Sequence, residues 1–217
     1  MKEERISLCG RSIRTFSLNT VVVGSGAAGL NAADRLGHFG QQDIALVTEG
    51  WNMGTSRNTG SDKQTYYKLT LGGDTPDSVM GMAETLFDGG AMDGDIALAE
   101  AAMSVGCFHH LVETGVPFPH NRFGEYVGYK TDHDPRQRAT SAGPLTSRMM
   151  TECLQKQVLQ EKIRIFDGYQ AIAVLTDRGK SHAVGLLALD RNHPENPDDR
   201  YVIFRCTNIV YATGGPA

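Results

Sequence analysis

The chain has 217 residues, enough for one domain with a sizeable core. With 40% hydrophobic and 21% charged residues it reads as globular, and a formal charge of −4 without a basic block argues against a nucleic-acid partner. Its four cysteines stand singly with no CxxC pair, which predicts free thiols in a reducing cytoplasm and argues against zinc, iron–sulfur or disulfide chemistry.

Residues 1–15 form a polar lead without the apolar core of a signal peptide, and no run approaches bilayer-spanning length, so a cytoplasmic chain without membrane insertion is expected. A short β-branched strand at 20–23 flows into Gly24-Ser25-Gly26-Ala27-Ala28-Gly29 and an Ala-rich helix at 30–37. Gly40 closes the helix, and the apolar run at 43–49 reads as a second buried strand, giving one βαβ unit over 20–49.

Residues 51–73 form a long polar loop with helical character at 64–71. Helices are predicted at 76–88 and 94–114, the second capped by Asp95, closed by Gly115 and burying Leu98, Ala102, Val105, Leu111 and Val112. The irregular stretch 117–144 carries His120, Arg122, His133, Asp134, Arg136 and Arg138. A helix at 145–160 follows, with Met149, Met150, Cys153, Leu154 and Val158 as core filling. Strands at 163–166, 170–176, 183–190 and 201–205 suggest one strand and an antiparallel meander, and a further short strand at 208–212 ends in Thr213-Gly214-Gly215-Pro216.

The GxGxxG run has a mechanical reason at each glycine. Gly24 permits the tight turn, Gly26 lets a pyrophosphate approach the backbone, and Gly29 lets the helix pack on the strand. The helix N-terminus faces the phosphate charge, and Glu49, at the end of the second strand, accepts from ribose hydroxyls. An acid there disfavours a 2′-phosphate, leaving NAD and FAD, and the insertion of loop, helices and meander suits FAD.

These residues, with the loop at 54–64, the GVPF segment at 115–118 and the YATGG run at 211–215, resemble the flavoprotein subunits of succinate dehydrogenase and fumarate reductase and the related L-aspartate oxidases. The resemblance implies an α/β fold: a Rossmann-like FAD-binding domain with a parallel sheet and an inserted antiparallel β-meander, truncated before the capping domain. Residues 1–217 would be the N-terminal portion of that domain, with 51–145 as a loop and helical excursion near the cofactor.

By the same resemblance Gly24, Ser25, Gly26, Ala27, Ala28 and Gly29 hold the FAD diphosphate, Glu49 the adenosine ribose, and Thr55 and Ser56 the phosphates and flavin side. Gly60 lies in the same loop, Ala171 meets the adenine through its backbone, and Ala212, Thr213 and Gly214 pass close to the cofactor. Thr55 stands where membrane-complex relatives carry a flavin-linking histidine, which implies non-covalent FAD, and Ser61-Asp62 replaces a glycine pair. Phe118, His133 and Arg136 fall at substrate-facing positions for a dicarboxylate or enoate, whereas the catalytic proton donor is expected beyond residue 217.

Two function classes follow. One is an FAD-dependent oxidoreductase of the fumarate reductase and succinate dehydrogenase type, transferring hydride between flavin N5 and a carbon–carbon bond next to a carboxylate, with this fragment alone expected to be inactive. The other is a truncated or split FAD or adenine-nucleotide module that needs a C-terminal segment or partner subunit. An NAD-dependent dehydrogenase ranks third because of the meander and the ATGG ending. His109 and His110 lie mid-helix without metal spacing, so no metal is expected, and no GxSxG elbow is present.

Overall fold

The structure is a computed structural model that describes residues 1–61, 64–132, 134–193, 195 and 197–215. In chain order its elements are β1 (Lys2–Leu8), β2 (Arg11–Val23), α1 (Ala27–His38), β3 (Ile44–Thr48), α2 (Thr55–Asn58), β4 (Tyr66–Tyr67), α3 (Val79–Asp88) and α4 (Gly94–Glu113). Then follow β5 (Ala139–Thr140), α5 (Thr146–Gln160), β6 (Arg164–Asp167), β7 (Tyr169–Thr176), β8 (Ala183–Asp190), α6 (Pro197–Arg200) and β9 (Tyr201–Tyr211). The chain divides into two compact units, Met1–Asn58 with Leu154–Ala217, and Thr59–Cys153.

The first unit is built on a seven-stranded sheet ordered β6-β3-β2-β9-β8-β7, with β1 antiparallel on β2. Strands β6, β3, β2 and β9 are parallel, and β9, β8 and β7 form the antiparallel meander, so β9 belongs to both arrangements. Parallel sheet and meander are therefore one continuous sheet. The two strands expected at 201–205 and 208–212 are this single strand, because Cys206 and Asn208 keep the register opposite Leu18 and Thr20 despite the polar residues between them. A buried aromatic cluster sits at the middle of the sheet, with Phe166 at 4.8 Å from both Phe16 and Phe204.

The lead is not a tail. Residues 1–23 make a β-hairpin in which Lys2 pairs with Ser17 and Leu8 with Arg11, around Cys9 (φ 51) and Gly10 (φ 75). Positive φ at both turn positions is what a two-residue hairpin of the right twist needs. Charged residues hid the alternation, because β1 is mostly exposed while Ile13, Phe16 and Leu18 of β2 are buried.

In the second unit, 64–71 is not helical. Tyr66 and Tyr67 instead pair with Thr140 and Ala139, aromatic β propensity being satisfied by a distant partner strand. Helix α4 starts at Gly94 as the sequence suggests, but its cap lies two residues earlier than expected: Asp93, not Asp95, accepts from the N–H groups of Asp95 and Ile96. Its buried face is Ala97, Ala101, Ser104, Phe108 and Leu111, so Leu98 and Ala102 point outward. Asp93→Ala is expected to cost about 1 kcal/mol, read as a lower thermal midpoint.

Lys68 is fully buried, its ammonium 4.9 Å from the centre of the Phe108 ring and 3.4 Å from the Leu69 carbonyl. Burial pushes the amine down to about 8. The folded state thus binds this proton more weakly than the unfolded chain, so stability rises as pH climbs from about 8 towards 10.5. Lys68→Met is expected to stabilise the protein at pH 7 by roughly 1–3 kcal/mol, a gain that vanishes at high pH in urea unfolding. No helix among the described residues is long and apolar enough to cross a membrane.

Candidate functional site

A cleft of about 590 Å³ opens at the carboxyl ends of β2, β3 and β9, wholly within the first unit. Parallel α/β sheets bind ligands there because the strand order reverses: the chain leaves β2 through α1 to β3 on one side, and β9 lies on the other. The Gly24 N–H donates to the Val47 carbonyl at 2.8 Å, and the Ala212 N–H to that of Val23 at 2.9 Å, so three strand ends are held level.

The glycines of the first turn serve different ends. Gly24 has φ 107, and a Cβ there would overlap the Ala212 carbonyl, while a Cβ on Gly29 would overlap the Gly24 carbonyl. Both are required by the protein's own packing. At Gly26, by contrast, a Cβ would meet only the Ser56 hydroxyl, at 3.5 Å. Among the described residues nothing blocks a Cβ at Gly26, so the protein's own packing does not require glycine there as it does at Gly24 and Gly29.

Gly26 caps α1 with extended backbone and no side-chain acceptor, and the helix has no acid in its first turn. Its first N–H groups therefore present partial positive charge to the cleft, with the Ala27 N–H reaching the Ser56 hydroxyl at 3.3 Å. The Ser25 hydroxyl is committed elsewhere, at 2.8 Å from that of Thr48 and donating to the Gly50 carbonyl at 3.1 Å.

Twelve of the fourteen positions expected at a cofactor line this cleft: Gly24, Ser25, Gly26, Ala27, Ala28, Glu49, Thr55, Ser56, Ala171, Ala212, Thr213 and Gly214. Gly29 sits one layer behind it, and Gly60 belongs to the second unit, where a Cβ would crowd Leu145. Sequence reasoning missed Met53, Gly54, Tyr169 and Tyr211 in the walls, along with the strand ends Val23, Val47 and Thr48 and the adjoining Gly50. Gly54 has φ 100, a signal hidden among the other glycines of that loop. Tyr169 is buried, which raises its phenol pKa, and it shares the buried Asp190 carboxylate with Arg14.

The residues expected at a substrate lie in the second unit. Phe118 is buried against Phe108, with ring centres 4.8 Å apart, and Arg136 lines a groove beside Pro76 and Glu84. His133, Asp62 and Pro216 lie outside the described residues. Arg138, also in that basic stretch, is spent internally: it is 1% exposed and donates to both Asp77 oxygens, at 2.7 and 2.9 Å, to Thr85 at 2.9 Å and to Tyr67 at 3.0 Å. Among the described residues no group of three His, Cys, Asp or Glu is arranged to hold a metal ion.

The sequence profile of the FAD binding domain family matches residues 19–217. The chain is also similar to a succinate dehydrogenase flavoprotein subunit of Rickettsia bellii, at 26% identity over 91% of this chain and 33% of that protein. Among solved structures it resembles the E. coli quinol fumarate reductase FrdA, with TM-score 0.77 and 23% identity over 93% of this chain and 33% of that one. A 3-ketosteroid-delta4-(5alpha)-dehydrogenase from Rhodococcus jostii shares the fold at TM-score 0.67 and 18% identity, over 92% of this chain and 46% of that one. The chain thus spans about a third of the length of the succinate dehydrogenase and fumarate reductase subunits it matches.

Proposed function

The chain belongs to the FAD binding domain family, its cofactor is FAD, and we propose that the cleft of the first unit holds that cofactor without a covalent bond. The observation that carries this reading is the open space at Gly26 beside the N-terminus of α1, whose cap residue supplies no side-chain acceptor and where a pyrophosphate would lie against backbone N–H donors. Glu49 would accept from the adenosine ribose, the Ala171 backbone would meet the adenine, and Thr55 and Ser56 would face the phosphates and flavin. Ala212, Thr213 and Gly214 would run alongside, with Gly29 supporting the turn from behind.

When bound, FAD supplies hydride transfer at flavin N5, and we assign the protein to oxidoreductases of the succinate dehydrogenase and fumarate reductase type, acting on a carbon–carbon bond next to a carboxylate. The substrate class is a small dicarboxylate or enoate, and Arg136, a half-buried guanidinium, is the described residue we assign to its carboxylate. A second reading is a cofactor-binding module that acts only together with a partner subunit, favoured by a cleft whose lining includes neither Phe118 nor Arg136.

The deciding experiment is an absorption spectrum of the purified protein before and after incubation with FAD and gel filtration. Retained flavin that acid precipitation releases completely is the expected result. A folded protein that retains none overturns the reading, and flavin that stays with the acid pellet overturns its non-covalent part. Fumarate reduction with a reduced dye, assayed on the loaded protein, then separates the enzyme from the module.

A further inference from the structure

We propose that Arg191 is a positioning residue of the adenosine end of the cleft, holding the Glu49 carboxylate in the orientation that accepts the ribose hydroxyls. The inference rests on the FAD reading and adds a residue that neither the glycine turn nor the acid at its end implies.

The Arg191 Nη1 lies 3.4 Å from the Glu49 Oε2, and both side chains are about half exposed. An ion pair in that setting adds little to stability, so holding the fold together does not account for it. Its mount is rigid, however. The Arg191 N–H donates to the Gly168 carbonyl at 2.9 Å, and the neighbouring Asp190 side chain is fully buried against Arg14. Asn192 donates its side-chain amide to the Asp167 carbonyl at 2.8 Å and its backbone N–H to Asp190 at 2.9 Å.

Glu49 is tied to the same point from the other side. Two residues on, the Trp51 N–H donates to the Asp167 carboxylate at 2.8 Å. The segment carrying the acid and the segment carrying the guanidinium are thus both pinned to Asp167 and Gly168 at the junction of β6 and β7, next to Tyr169, which lines the cleft. The arginine occupies one oxygen of a carboxylate that has about four acceptor positions, so a ribose diol can still be received. Orienting that carboxylate before the ligand arrives removes part of the ordering cost of binding.

The test is a cycle of FAD dissociation constants, read from flavin fluorescence, for the wild type, R191A, E49A and the double variant. R191A is expected to bind about fivefold more weakly at an unchanged melting temperature, with the double variant no weaker than E49A. R191K should recover part of the loss. Competition by AMP and 2′-deoxy-AMP supplies a readout that a structural role would not move: the wild type prefers AMP, and R191A loses that preference.

Binding by R191A as tight as the wild type or tighter, or losses that simply add in the double variant, overturns the inference and leaves the FAD reading standing. A folded wild type that binds neither FAD nor AMP overturns both.

Discussion

Gly26→Ala is expected to leave the protein folded and to weaken FAD binding by roughly 10- to 100-fold, the cost of forcing one methyl into a packed contact. The folded state has room for that methyl, since it would meet only the Ser56 hydroxyl at 3.5 Å, and φ at this position is −76°, which any residue adopts. Alanine caps helices less well than glycine, so the thermal midpoint should fall slightly, by the equivalent of about 1 kcal/mol or less. The affinity loss is then steric and local to the ligand.

Gly24→Ala and Gly29→Ala are expected to behave in the opposite way. Each would drive a Cβ into a backbone carbonyl, and Gly24 would also be strained at φ 107, so both should lower stability in urea unfolding before FAD is considered. Should Gly26→Ala bind FAD as well as the wild type, the pyrophosphate does not lie at this turn. Melting curves and flavin titrations on the three variants make the comparison complete.

The contrast explains why the site was legible in the sequence as far as it was. A βαβ unit is local: strand, turn, helix and acid follow one another over 20–49, and the periodicity and glycine spacing that build the site are the same signals that reveal it. The succinate dehydrogenase and fumarate reductase likeness read from GSGAAG, Glu49 and YATGG agrees with the family match for the same reason. Arg191 left no such trace, because it stands 142 residues from Glu49 and meets it only through the sheet.

Where local signals misled, a distant partner had decided the conformation. Tyr66 and Tyr67 are strand because of residues 139 and 140, and β9 is one strand because β2 lies beside it throughout. On α4 the expected Leu111 is buried, but the N-terminal half of the buried face is made by the small residues Ala97, Ala101 and Ser104, so a hydrophobic stripe drawn through Leu98 follows size and not contact.

Arg138→Met is expected to destabilise the second unit by about 3–5 kcal/mol, because it strands a buried carboxylate. Asp77 is the partner at risk: burial alone would raise its pKa, but the two Arg138 hydrogen bonds and the N–H groups of Thr70 and Ser78 outweigh it and hold the acid at about 2. The folded-state pKa lies below the unfolded value of 3.8, so this contribution is full above 3.8 and is lost as pH falls towards 2. The loss between pH 5 and pH 2 is expected to be on the order of 2 kcal/mol.

Urea unfolding across that range should show the slope in the wild type and lose it in Asp77→Asn, which is itself weaker at pH 7. Removing both charges together should cost less than the two single losses summed, since no buried ion is then left alone. An Arg138 variant of wild-type stability would contradict the network. The geometry argues against that outcome, because Asp77, Thr85 and Tyr67 already take donors from every nitrogen of Arg138.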